Sequence, residues 1–210
     1  EENEDEASKV IAPERTKAVP RFRKGVDEEV KGTLRGTAYH RFFEILNYDC
    51  CKDYNSIEEY LKASVAAGKI SEEYAGLINL KRFEEFLQTN LGKRMGSAYK
   101  KGLLFREQPF IMELGADMID KEYPSDEKIL VQGIVDAFFF EDDKVYIVDY
   151  KTDRVEQGKA GEKALIERYH KQLELYADTI SRVTGKEMGG CYIYSTCLKK
   201  EILIESPSYT

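Results

Sequence analysis

Residues 129–152 constrain this chain more than any other stretch. They contain two β-branched and aromatic runs, Ile129–Phe140 and Val145–Thr152, joined by the charged turn Glu141-Asp142-Asp143-Lys144. Such runs flanking a short acidic turn predict a β-hairpin. A tight turn centred between Asp142 and Asp143 places Asp136 and Asp149 the same distance from the turn, directly opposite each other on one sheet face. Side chains alternate along a strand, so Lys151 returns to that face, with Ile134, Phe138, Phe140, Val145 and Ile147. The other face carries Val135, Ala137, Phe139, Tyr146, Val148 and Tyr150. A hairpin apolar on both faces belongs inside a covered sheet.

Two carboxylates facing each other there repel, and burying them unpaired is costly. Two readings satisfy the charge. In one, Lys151 ties the strands together as a structural ion pair. In the other, a divalent cation sits between the acids, since opposed residues have Cβ atoms ~4.5–5.5 Å apart, close enough to share one ion. Either requires that no β-bulge separate the two acids.

The 210 residues suffice for one sizeable domain, and 42% hydrophobic with 34% charged residues describe a globular chain. No apolar run reaches membrane-spanning length. The net charge is −7, and five of the first six residues are acidic, so the remainder is nearly neutral. That disfavours a protein that coats DNA by bulk charge, but not an enzyme that grips a phosphodiester through metal ions. Cys50, Cys51, Cys191 and Cys197 contain no CxxC and suggest free thiols in a cytoplasmic setting. The chain opens on Glu rather than Met, which suggests a portion of a longer protein.

Residues 1–20 read as a linker or strap, 21–205 as the folded domain and 206–210 as a tail. Thr37 is the expected N-cap of an apolar helix through Phe42, Phe43, Ile45 and Leu46. His40 lies one turn before Glu44, so it is either bonded to Glu44 or offers an imidazole to a metal. Residues 55–100 form an expected helical insertion, with Ser56 and Ser71 as caps and a core stripe of Leu77, Leu80, Phe83, Phe86 and Leu87. Its cluster of Lys93, Arg94, Lys100 and Lys101 is either a solvated face or a phosphate-contacting rim. Gly102–Leu114 reads as the first strand, with Glu107 on its apolar face and Pro109 implying an edge position or a bulge. Glu107 is either a further acid for the site or a partner for a cation such as Lys151. After a loop over 153–161, a helix from Ala164 to Val183 projects Gln172 and Tyr176 together. Gly185 and Gly189-Gly190 are expected to end it, and two short strands close the chain.

The order helix, three strands, helix, strand, with acids on the second and third strands and Lys two residues after the second acid, resembles the PD-(D/E)XK nuclease superfamily. The set Gly36-Thr-Ala-Tyr-His40, Glu107-Gln-Pro-Phe110, Gly133-Ile-Val-Asp136, Asp149-Tyr-Lys-Thr-Asp153 and Gln172-Leu-Glu-Leu-Tyr176 resembles its RecB-type nuclease domains. The Pro20-Arg21-Phe22 approach looks closer to those of AddA subunits. No single motif is decisive, but five in order are specific, and they span roughly residues 18–205.

The resemblance implies an α/β restriction-endonuclease-like core with a central mixed sheet. It implies an Mg²⁺-dependent deoxyribonuclease, also supported by Mn²⁺, attached to an ATP-driven helicase and paired with an AddB-like subunit. Such enzymes process double-strand breaks for recombination by cutting the 3′-terminated strand. It assigns metal ligation to His40, Asp136, Asp149 and the Tyr150 carbonyl. Lys151 and Glu107 then support catalysis, and Thr152, Gln172 and Tyr176 shape the DNA path. Some relatives carry an iron–sulfur staple built on a late CxxC, and without that motif no cluster is expected here. A stand-alone nuclease of the superfamily, or a degenerate domain that only guides DNA, are the alternatives.

Overall fold

The computed structural model describes residues 26–115, 124 and 127–204. The expected strap over 1–20 and tail over 206–210 lie outside them. In chain order the elements are α1 (Val26–Ile45), α2 (Tyr54–Ala66), α3 (Glu72–Leu77), α4 (Leu80–Gln88), α5 (Asn90–Lys100), β1 (Leu104–Gly115), β2 (Lys128–Glu141), β3 (Lys144–Lys151), α6 (Lys159–Thr184), β4 (Glu187–Ser195) and β5 (Lys200–Ile204).

The hairpin forms in the expected register. Glu141 pairs with Lys144, and the antiparallel ladder runs without slippage to Ala137 opposite Val148. Asp142 and Asp143 take φ of 48° and 65°. Positive φ at both central residues is the type I′ geometry whose twist matches the flanking strands, and Asp tolerates it better than most residues. The five strands lie in the order β1-β2-β3-β4-β5. Among the described strands only β3 and β4 run parallel, joined by the crossover through α6. Pro109 lies on the outer strand, as its missing N–H requires.

Each sheet face is covered by helices. On one side, Phe42, Phe43, Phe83 and Phe86 from α1 and α4 pack against Ala137, Phe139, Val148, Tyr150 and Tyr194. The Phe43 and Tyr150 rings stack at 3.8 Å between centroids. On the other side, Leu165, Leu173, Tyr176 and Ile180 of α6 cover Phe138, Val145, Ile147 and Ile193.

One departure from regular alternation lies at the level of the acids Glu107 of β1 and Asp136 of β2. Val135 belongs to the α6 side although Ala137 belongs to the other. Ile134, expected beside Asp136, is 50% exposed instead. The strand pair changes faces at Glu107 and Asp136, the one interior pair missing from the β1–β2 register. Glu107 has φ of 48° there, an unusual conformation for a side chain without local hydrogen bonding to its own backbone.

The helical stretch over 55–100 divides into α2 to α5. Ser71 caps α3 as expected. Ser56 does not cap α2. Asp53 does, and Ser56 completes a capping box at N3, because the carboxylate three residues earlier is the better acceptor for the free N–H groups. Thr37 sits inside α1 and returns its hydroxyl to the Thr33 carbonyl at 3.1 Å, a bond available only within a continuing helix. Helix α6 begins at Lys159, inside the expected loop. Gly185 ends it in the left-handed conformation, whereas Gly189 and Gly190 lie in β4. There Gly189 is the extra residue of a bulge opposite Tyr146. A Cβ on it would stand 2.3 Å from the Tyr146 ring.

The basic cluster on α5 also divides. Lys93, Lys100 and Lys101 face solvent. Arg94 instead pairs with Glu141 at 2.7 Å, donates to the Tyr192 hydroxyl at 3.0 Å and lies 4.2 Å from the Tyr146 ring centroid. It bolts the insertion to the sheet. Arg94→Ala is expected to destabilise the domain by about 2 kcal/mol, less than loss of a fully buried pair because some solvent access remains. Denaturant melts, with Glu141→Gln completing a double-mutant cycle, check this. Additive losses would show that the pair contributes nothing.

Candidate active site at the end of the hairpin

The β2–β3 ladder stops at Ala137, and the Asp136 side chain takes over. Its Oδ2 accepts the Tyr150 N–H at 2.8 Å, so that backbone donor stays satisfied. Its Oδ1 lies 3.2 Å from His40 Nδ1. His40 therefore meets Asp136 and not Glu44, whose carboxylate is engaged by Arg41. The ring approaches Tyr150 edge-on.

Asp149 is 1% exposed and forms an ion pair with Lys151 at 2.7 Å. Among the described residues, neither of its oxygens has a hydrogen bond of ordinary geometry. Lys151 Nζ also lies 3.4 Å from Gln172 Oε1 and 4.1 Å from the Tyr169 ring centroid. Gln172 donates in turn to the Tyr176 hydroxyl at 2.6 Å. Thr152 follows at the strand end, where its carbonyl accepts from Arg35 at 3.3 Å. Gly36 allows α1 to approach there, since a Cβ on it would stand 3.3 Å from Thr152 Oγ1.

The sequence-predicted residues thus converge. His40, Glu107 and Asp136 bring one ligand atom each within 4.8 Å of one another. Asp149 lies outside that closest set, its carboxylate leaning on Lys151. Tyr169 and Asp153 also contribute, although the sequence gives Tyr169 no site role and Asp153 only the last place in the Asp149–Asp153 motif. Tyr169 supports the Lys151 ammonium through its ring face. Asp153 accepts from the Tyr169 hydroxyl at 2.8 Å and from Arg168 at 2.6 Å, fixing that ring. The signal was available, because Tyr169 precedes Gln172 by three residues and shares its helix face.

Electrostatics mark the cluster as short of positive charge. Burial, then the Asp136 charge, pushes the Glu107 carboxyl up to about 7. The same two causes raise Asp149, with Lys151 opposing. Burial alone would lower His40, but the hydrogen bond and charge of Asp136 outweigh it, and the imidazole is raised. A half-buried Glu107 and a buried Asp149 that resist ionisation, with Lys151 as the one cation paired to Asp149 among the described residues, fit a divalent cation held by oxygen and imidazole ligands.

Comparison with known proteins identifies the family. Residues 15–206 match the family model of the PD-(D/E)XK nuclease superfamily. The chain belongs to that superfamily. It is 35% identical over 206 residues to AddA, the ATP-dependent helicase/nuclease subunit of Clostridium perfringens strain SM101, covering 96% of this chain and 16% of that protein. The corresponding subunit of Lachnoclostridium phytofermentans is 31% identical over 235 residues, covering 96% and 17%. That of Thermoanaerobacter sp. strain X514 is 38% identical over 163 residues, covering 76% and 13%. The chain therefore spans about a sixth of the length of the first of these relatives. As a superfamily member related to AddA proteins, it is a nuclease domain with the expected restriction-endonuclease-like fold. No helix among the described residues is long and apolar enough to cross a membrane.

The raised carboxyls set a pH dependence. In the folded state Glu107 and Asp149 hold protons that the unfolded chain has already lost above about pH 4.5. His40 shifts in the same sense. Metal-free stability is therefore expected to fall as pH rises from about 5 to about 8. Glu107→Gln should flatten that slope and melt higher than wild type at the alkaline end. Thermal melts in EDTA across this range check it, and a rising wild-type profile would contradict the assignment.

Proposed function

We propose that this chain is the metal-dependent DNA nuclease domain of an ATP-dependent helicase–nuclease that processes double-strand breaks for recombinational repair. The reading rests above all on the convergence of Asp136, Asp149 and Lys151 with His40 and Glu107 at one end of the hairpin. Its substrate is 3′-terminated single-stranded DNA delivered by helicase domains of the same protein, in a cytoplasmic complex with an AddB-like subunit. The relatives' description as ATP-dependent helicase/nuclease subunits several times longer than this chain supports the helicase-linked part of that setting.

His40, Asp136, Asp149 and the Tyr150 carbonyl would hold the ion, Mg²⁺ or Mn²⁺, with Glu107 supporting a second ion or the first. When bound, the ion acidifies a water and offsets charge on the scissile phosphate. Lys151 orients the attacking water and stabilises the charge that builds on the phosphate oxygens. Gln172 and Tyr169 hold the Lys151 ammonium in place. Tyr176 and Thr152 shape the path of the strand. Water attacks phosphorus in line, the bond to the 3′ oxygen breaks, and a 5′-phosphate and a 3′-hydroxyl result.

The test is cleavage of end-labelled single-stranded DNA with Mg²⁺, Mn²⁺ or EDTA. Wild type should cut with either metal and not in EDTA. Asp149→Ala and Lys151→Ala should each lose about 10³-fold in rate or more while retaining native circular dichroism. Wild-type-like cutting by either variant would sink the site assignment.

A further inference from the structure

Beyond Thr152 lies a cavity of about 430 Å³ at the C-terminal ends of the parallel strands β3 and β4. Arg35, Arg82 and Arg154 all line it, with Tyr39, Thr152 and Thr196, and among the described residues no carboxylate does. Resting on the nuclease reading, we propose that this cavity is a second phosphate subsite, which grips a phosphate of the nucleic-acid strand other than the one being cut.

Arg35 and Arg82 are held by the strand ends themselves. Arg35 donates to the Thr152 carbonyl and Arg82 to the Thr196 carbonyl. Each contact uses part of a guanidinium that carries five N–H donors, so both forks keep donors to spare. Arg154 is exposed and, among the described residues, makes no hydrogen bond or ion pair. Capping strand carbonyls explains the first two arginines but not the third. Three guanidiniums around one cavity repel unless an anion joins them, and the planar fork matches phosphate oxygens bidentately.

The position ties the cavity to the chemistry. Thr152 is the residue after Lys151, and successive side chains of an extended strand point to opposite faces. Lys151 faces α6, whereas Thr152 meets Gly36 of α1. A strand passing over the end of β3 would meet Lys151 on one side and the three arginines on the other. In a chain of net charge −7, this is a local reversal of sign beside the reacting centre. The grip would fix the register of the strand without reading its sequence.

The experiment uses oligonucleotides carrying one neutral methylphosphonate at successive linkages, and matched pairs with and without a 5′-terminal phosphate. Binding is followed by fluorescence anisotropy with Ca²⁺ in place of Mg²⁺, for wild type and Arg154→Gln. Arg154 has no structural partner among the described residues, so the variant should fold, which circular dichroism verifies. Neutralising one phosphate is expected to weaken wild-type binding about tenfold, and Arg154→Gln should weaken it comparably. At that phosphate the two losses should not multiply, because both remove the same contact. The salt dependence of binding should fall by about one charge. An internal linkage as the sensitive position identifies a phosphodiester, and the terminal pair identifies an end phosphate. Losses that multiply at every position, or unchanged binding in Arg154→Gln, would overturn the subsite. Failure of wild type to cut DNA in Mg²⁺ would instead count against the nuclease reading, while the binding cycle still reports on the cavity.

Discussion

The Asp136 carboxylate joins the sheet to the helix above it. One oxygen completes the backbone of β3 by accepting the Tyr150 N–H, and the other faces His40 on α1. A side chain that replaces a ladder bond is fixed by the same geometry that fixes the strands. That rigidity would let a mostly buried carboxylate anchor the proposed chemistry without a loop to carry it. The Phe43–Tyr150 stack lies next to this contact and holds α1 at a constant height over the sheet. The position of the imidazole is therefore set by core packing as much as by its own hydrogen bond.

The site is also a place where local rules of sheet stability are broken. Glu107 takes a left-handed backbone conformation, and the ladder lapses opposite it. Buried acids crowd together with Lys151 as the cation beside Asp149. Such violations are costly and persist where function requires them. The compensation lies on either side. Phe139 and Val148 are fully buried on the α1 face, and Ile147 on the α6 face.

Much of this was legible in the sequence because a hairpin has few degrees of freedom. The turn at Asp142–Asp143 fixes the register, and the register brings Asp136, Asp149 and Lys151 together by counting alone. Gln172 and Tyr176 were legible through helical spacing. What the sequence concealed was three-dimensional choice. His40 had two acids within plausible reach, and only the placement of α1 selects Asp136. The face switch at Glu107 carries no turn signal, so Ile134 reads as inward while its side chain points out. Arg94 looks like part of a basic rim because its partners, Glu141, Tyr146 and Tyr192, are distant in sequence. The caps at Ser56 and Thr37 failed for a simpler reason. Several residues within one turn can cap a helix, and competition among them is settled by where the chain enters.

The irregularity at Glu107 has one more effect, on how the molecule behaves among its copies. β1 is the outer strand of the sheet and twelve residues long, and Ile111, Leu130 and Ile134 stand 66%, 72% and 50% exposed on the β1–β2 ribbon. A long apolar edge of that kind is a template for strand-to-strand aggregation. The left-handed residue and Pro109 two positions later interrupt the flat, evenly spaced run that a foreign strand would need. The kink at Glu107 thereby also guards the edge that β1 forms among the described strands.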